Sequence, residues 1–77
     1  MSHKDITHLL EGNPFVPFRL HLTDGKTYDI QHRDFVWVFP TRLEIAIPSK
    51  ESEGLKESAE FVSLLHIVRI EQLKQAA

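Results

Sequence analysis

The side chains that could bind a metal or act as acids and bases in this sequence are chiefly five histidines. They are His3, His8, His21, His32 and His66. Zinc sites use closely spaced ligands such as His-x-x-x-His or Glu-x-x-His, and neither spacing occurs. His21 and His32 also fall on opposite parities of a predicted β region. We therefore expect separate histidines, with His66 in a turn, and neither a metal site nor a cofactor site. A divalent-metal sensor would need at least three converging ligands.

Recognisable catalytic patterns are also missing. The sequence has no cysteine, which excludes a thiol nucleophile, a disulfide and a thiolate metal site. It contains no Gly-x-Ser-x-Gly motif and no glycine-rich phosphate loop. Asp24 is explained by a turn with Gly25. We expect a non-enzymatic protein.

Arginines near aromatic residues suggest contacts with single-stranded RNA or DNA, in which bases stack on rings and phosphates pair with cations. The candidate contacts are Arg33, Arg42, His66 and Arg69. However, nine Lys and Arg stand against 11 Asp and Glu, and the net charge is -2. Nucleic-acid binders usually have a basic balance or patch. The competing interpretation places Trp37 and Phe39 in a core or an interface.

The most apolar run of the chain favours protein association. It consists of Phe35, Val36, Trp37, Val38 and Phe39. Both parities are apolar, which is typical of a strand buried on both faces. One small sheet cannot cover both faces by itself, and large exposed apolar patches are rare on monomers. We therefore predict that these five residues contact a second copy of the chain or another protein.

A β-hairpin precedes this run. Residues 18–23 alternate between apolar and polar side chains, and Asp-Gly is a turn signal. A two-residue loop would place Leu20 opposite Asp29. A three-residue loop that ends at Gly25 places Leu20 opposite Tyr28 instead, with Gly25 in the left-handed conformation. This register also pairs Phe18 with Ile30 and Arg19 with Asp29.

The remaining segments predict one domain over residues 1–77, with a helix over 2–12, four strands within 17–48 and a last strand segment over 61–71. Ser2 can cap the helix, and Gly12 suits its left-handed end. Residues 31–34 are either a bend or a loop between strands. Residues 49–60 are polar and predict a variable loop, either a tolerated insertion or a binding loop.

The last segment has two possible interpretations. Residues 61–70 would form an apolar stripe as a helix, but their β-branched and aromatic content favours strands with a kink near Leu65 and His66. We expect a short helical or frayed tail over 71–77. No apolar run has the length of a signal peptide or membrane span, so we expect a cytoplasmic protein.

Two resemblances follow from these residues. Pro17-Phe18, Leu22 to Gly25 and His66 to Glu71 resemble the opening and closing motifs of a family of short uncharacterised bacterial proteins. More distantly, the layout resembles the Sm-like small β-barrels, whose subunits pair edge strands into rings that bind single-stranded RNA. Leu64 and Leu65 stand at the family's Tyr and Lys positions.

The resemblance implies a mainly β, small SH3-like or Sm-like barrel of about five strands with a short N-terminal α-helix. The predicted function is a protein-interaction or assembly module, and we expect a homo-oligomer. The alternative is a protein that binds single-stranded RNA or DNA.

Overall fold

A computed structural model describes residues 1–48 and 56–73 of the chain. The elements are α1 (His3–Leu10), β1 (Phe18–Leu22), β2 (Thr27–Ile30), β3 (Val36–Val38), β4 (Arg42–Pro48), β5 (Lys56–Ser63) and β6 (Ile67–Gln72). Two 3₁₀ turns, Arg33–Phe35 and Leu64–His66, precede β3 and β6. The mainly β class and the N-terminal helix are confirmed.

The strands form two antiparallel sheets of three, with the orders β2-β1-β6 and β3-β4-β5. The expected number of about five strands is corrected to six. Residues 31–35 separate β2 from β3, so the open question about this region is settled as a turn between strands of different sheets. No strand pairing among the described residues joins the two sheets into a closed barrel.

The helix begins as its sequence predicts. The Ser2 hydroxyl accepts a hydrogen bond from the Lys4 amide at 3.2 Å, and the Asp5 carboxylate accepts one from the Ser2 amide at 3.3 Å. This capping box satisfies amides that have no partner within the helix. The predicted left-handed Gly12 is wrong, because Gly25 is the sole residue with positive φ in the described chain. Helical hydrogen bonding extends to the Glu11 amide instead.

The predicted hairpin register is confirmed. Leu20 pairs with Tyr28, and Phe18 pairs with Ile30. Gly25 has a φ of 87°, and its amide donates to the Leu22 carbonyl at 3.0 Å, which closes the three-residue loop. The apolar members of both strands therefore face the core together.

Within one subunit, residues 35–39 do not form a strand that is buried on both faces. The strand comprises three residues, because Phe35 belongs to the preceding 3₁₀ turn. Val36 is buried, while Trp37 on the opposite face is 45% exposed. The run thus has one inner face and one outer face, like an ordinary strand of a two-layer protein.

The C-terminal half confirms some expectations and corrects others. The strand through Leu43 and Ile47 and the kink near His66 are both present, and the helical alternative for 61–70 is excluded. Residues 56–60, expected in the loop, belong to β5, because they pair with β4 down to Pro48. Glu71 lies in β6, as the predicted strand segment 61–71 has it, and Gln72, expected in the tail, extends this strand along β1. Residues 49–55 and 74–77 lie outside the described part.

One apolar cluster holds the elements together, and α1 and all six strands contribute to it. Its most deeply buried side chains are Ile6, Phe18, Leu20, Ile30 and Leu43. The helix covers the core with Ile6, which is 0% exposed. No described helix is long and apolar enough to cross a membrane.

We predict that Gly25→Ala destabilises the protein by about 1 kcal/mol, because a side chain at positive φ is strained. The added methyl group would contact nothing within 4 Å, so the loss would be conformational. Urea unfolding monitored by circular dichroism measures it. Gly12→Ala is the matched control, since its φ is not positive, and its loss should stay below about 0.5 kcal/mol. Equal losses of unfolding free energy in the two variants would contradict the left-handed conformation assigned to Gly25.

Candidate interaction surface

The outer face of the β3-β4-β5 sheet carries a cross-strand row of large side chains. Trp37 pairs with Glu44, and Glu44 pairs with Phe61 on the third strand. Paired residues of neighbouring strands project on the same face. Trp37 is 45% exposed and Phe61 is 67% exposed. The row therefore presents two aromatic rings on either side of a carboxylate.

Arg42 lies between aromatic rings on this face. Its guanidinium carbon lies 4.4 Å from the centroid of the Phe39 ring and 5.7 Å from that of Phe61. Cation–π contacts at exposed sites contribute about 0.5–1 kcal/mol each.

Leu65 extends the apolar area beyond the sheet. It projects from the 3₁₀ turn after β5 and is 85% exposed. It lines, together with Phe61, Arg42 and Met1, an open groove of about 520 Å³. We call Trp37, Phe39, Arg42, Phe61 and Leu65 together the Phe61 surface.

The five predicted interface residues do not lie together on one face. Val36 is buried at 6% exposure, and Phe35 and Val38 are half-buried. Trp37 and the half-buried Phe39 contribute to the Phe61 surface. Within β3, strand alternation turns Val36 and Trp37 to opposite faces.

The four predicted nucleic-acid contacts do not come together. Arg42 belongs to the Phe61 surface. Arg33 donates to the Gly12 carbonyl at 2.9 Å and lies over the Phe15 ring. These contacts place Arg33 beside the end of α1.

The other two contacts lie elsewhere. His66 is beside Thr23, with 3.3 Å between Nδ1 and the Thr23 hydroxyl. Arg69 contacts the His21 ring on the outer face of the first sheet. The structure thus forms no continuous basic face from these four residues.

The outer face of the β2-β1-β6 sheet is charged and internally paired. Arg19 forms two hydrogen bonds with the Asp29 carboxylate, at 2.6 and 3.0 Å. These bonds lower the pKa of Asp29 and raise the pKa of Arg19. The His21 Nε2 donates to Glu71 at 3.0 Å, and this bond is the main reason that the pKa of Glu71 is lowered. Arg19, Asp29, His21 and Glu71 are therefore paired with one another on this face.

No group of three or more histidines, aspartates or glutamates among the described residues could hold a metal ion. A separate hydrogen bond joins the two sheets, and the Tyr28 hydroxyl donates it to the Glu60 carboxylate. This bond links β2 to β5.

Sequence reasoning missed Phe61 and Leu65 as surface residues. Both lie in an apolar run that suggested burial. The signal that could have identified Phe61 is its parity. In a strand with Val62 inside, Phe61 must point outward.

Comparison of the chain with models of known protein families, with curated protein sequences and with solved structures found no match in any of the three.

We predict that Tyr28 ionises with a pKa of about 12, because its hydroxyl donates to an anionic carboxylate. This pKa in the folded protein exceeds the ordinary tyrosine value of 10.0. The hydrogen bond therefore stabilises the fold fully at pH values below the pKa of the unfolded chain. That stability is lost as the pH rises toward 12. Tyr28 is the sole tyrosine, so phenolate absorbance reports it directly.

Glu60→Gln should return the tyrosine pKa toward its ordinary value, whereas Glu44→Gln, on the outer face of β4, should leave it unchanged. An ordinary tyrosine pKa in the unaltered folded protein would show that the bond is absent.

Proposed function

We propose that the protein is a self-assembly module in which the Phe61 surface of one copy packs against that of a second copy. The supporting observation is the high exposure of Phe61 and Leu65, at 67% and 85%, beside a half-exposed Trp37. Fully burying one large apolar side chain is worth about 1.5–3 kcal/mol. Aromatic and arginine residues are also enriched in protein interfaces.

The charges on this face favour a second copy as the partner. Arg42 and Glu44 lie on the same face of β4, separated by one residue. In a two-fold contact, the same patch meets itself in opposite orientation. Arg42 of one copy can then approach Glu44 of the other. The surface is therefore both apolar and complementary to itself in charge. Another protein with the same chemistry would be the alternative partner.

We further propose that the two sheets are the halves of a small open barrel of the Sm-like or SH3-like type. Support comes from the turn that leads β2 into β3 and from the 3₁₀ turn that leads β5 into β6. The Tyr28–Glu60 hydrogen bond also links a strand of one sheet to a strand of the other. We place the protein in the cytoplasm, as its cysteine-free sequence favours.

Sedimentation equilibrium at micromolar concentration tests the assembly. We expect a mass of at least two chains for the unaltered protein. The double variant Phe61→Ser, Leu65→Ser should sediment as a monomer, because it removes apolar surface that is exposed in the subunit. Its urea midpoint should change little, because these side chains are exposed.

Val68→Ser is the matched control. Val68 is also exposed, at 61%, but lies on β6 outside the Phe61 surface. This variant should assemble normally. A monomeric unaltered protein, or a double variant that assembles like the unaltered chain, would reject the proposal.

A second candidate function is binding of single-stranded RNA or DNA. Arg42 between two rings, with Trp37 on the same face, is an arrangement on which bases can stack. The carboxylate of Glu44 in the same row opposes a phosphate backbone.

Anisotropy of labelled oligo(U) and oligo(dT) tests this candidate at low salt, where phosphate contacts are strongest. Binding that weakens with salt and quenches Trp37 fluorescence would support it. No binding at low salt would remove it.

A further inference from the structure

The outer edge of β2 borders a groove that is separate from the Phe61 surface. The groove has a volume of about 660 Å³, within the range of ligand sites. Its walls include the consecutive residues of β2 and residues 45–47 of β4. Successive side chains of a strand point to opposite faces, so a cavity that contacts every residue of a segment lies against its edge. The groove therefore lies against the free edge of β2, and the part of β4 where its pairing with β3 ends forms the opposite wall.

The edge of β2 carries unpaired backbone groups. The Leu22 amide donates to the Lys26 carbonyl at 2.9 Å. This bond fixes which residues of β2 form hydrogen bonds with β1 and which point their amides and carbonyls away from it. Alternate residues of an antiparallel strand bond to opposite sides. The amides and carbonyls of Thr27 and Asp29 consequently point away from β1, and no residue in the described part of the chain bonds to them.

The side chains around the groove are apolar inside and acidic at the rim. Ile30, Ile45 and Ala46 form its inner wall, with exposures of 1%, 2% and 5%. Asp29 and Asp34 are its acidic residues, and neither lysine nor arginine lines it. Asp29 is already paired with Arg19. Asp34 is exposed and has no ionic partner among the described residues.

We propose that this groove binds an extended peptide in which apolar and basic residues alternate, by strand addition to β2. Main-chain hydrogen bonds to Thr27 and Asp29 would supply affinity. Specificity would come from the peptide's side chains, which alternate between the two faces of the added strand. The peptide's apolar residues then face the side of Ile30, and the exposed carboxylate of Asp34 at the rim attracts its basic residues. This inference shares with the proposed function only the idea of an interaction module, since it uses a different surface.

The probe is the fluorescein-labelled hexapeptide Lys-Val-Lys-Val-Lys-Val, titrated with the full chain and followed by anisotropy. We expect saturable binding that weakens as salt is raised. The peptide Glu-Val-Glu-Val-Glu-Val, with the same period and opposite charge, should not bind. Absence of binding by the lysine peptide, or equal binding of both peptides, would overturn the proposal.

Two variants locate the site. Thr27→Pro removes an outward amide that makes no internal bond, a replacement that edge strands tolerate, and should weaken binding about tenfold. Asp34→Lys reverses an exposed rim charge and should weaken binding about threefold. The second variant keeps the test valid if the proline disturbs folding.

The matched control is Gln72→Pro, which places the same change on the edge of β6, away from the groove. It should bind the peptide normally, and so should the double variant at Phe61 and Leu65. If that double variant is monomeric and still binds, the groove is independent of assembly. Peptide binding that neither Thr27→Pro nor Asp34→Lys weakens would contradict the assigned site.

Discussion

The register of the first hairpin is the constraint on which the rest of the structure depends. Gly25 at a φ of 87° allows a three-residue loop, and this loop aligns the apolar residues of β1 with those of β2. A slip of one residue would turn one strand's apolar set outward. Because the register holds, Phe18, Leu20 and Ile30 reach the core, and Arg19 meets Asp29 on the outside.

The two outer faces that result have different chemistry. The outer face of the first sheet carries a network of ion pairs that includes Arg19 and Glu71. The face of the second sheet exposes Phe61 and part of Trp37. Paired surface charges contribute little to stability and are well solvated. Exposed rings gain free energy when they leave water. Because of this difference, the outer face of the second sheet is the one expected to pack against a second copy.

The fold could be predicted from sequence wherever a local rule decided it. The capping box at Ser2, the turn at Gly25 and the kink before Ile67 each depend on neighbouring residues. The extent of β3 and β5 could not be predicted in this way. Residues 56–60, three of which are charged, form a strand because β4 lies beside them. This pairing is a tertiary effect that outweighs local propensity.

The candidate surface was predictable only in part, for a related reason. An apolar run shows that side chains avoid water, but not which of them reach the core. Residues 35–39 indicated the sheet that presents the surface, while its two most exposed members, Phe61 and Leu65, come from another part of the chain. Strand pairing brings Phe61 into the row of Trp37, although 24 positions separate them in sequence.

Fluorescence of Trp37, the single tryptophan, tests the central claim most directly, because this side chain is 45% exposed in the subunit and belongs to the Phe61 surface. Its emission should be blue-shifted and protected from acrylamide at micromolar concentration. On dilution, the emission maximum should shift to the red and the acrylamide quenching constant should rise together, toward the values of a solvent-exposed indole. An emission maximum and quenching constant that stay the same at every concentration, with the mass of one chain, would contradict the account.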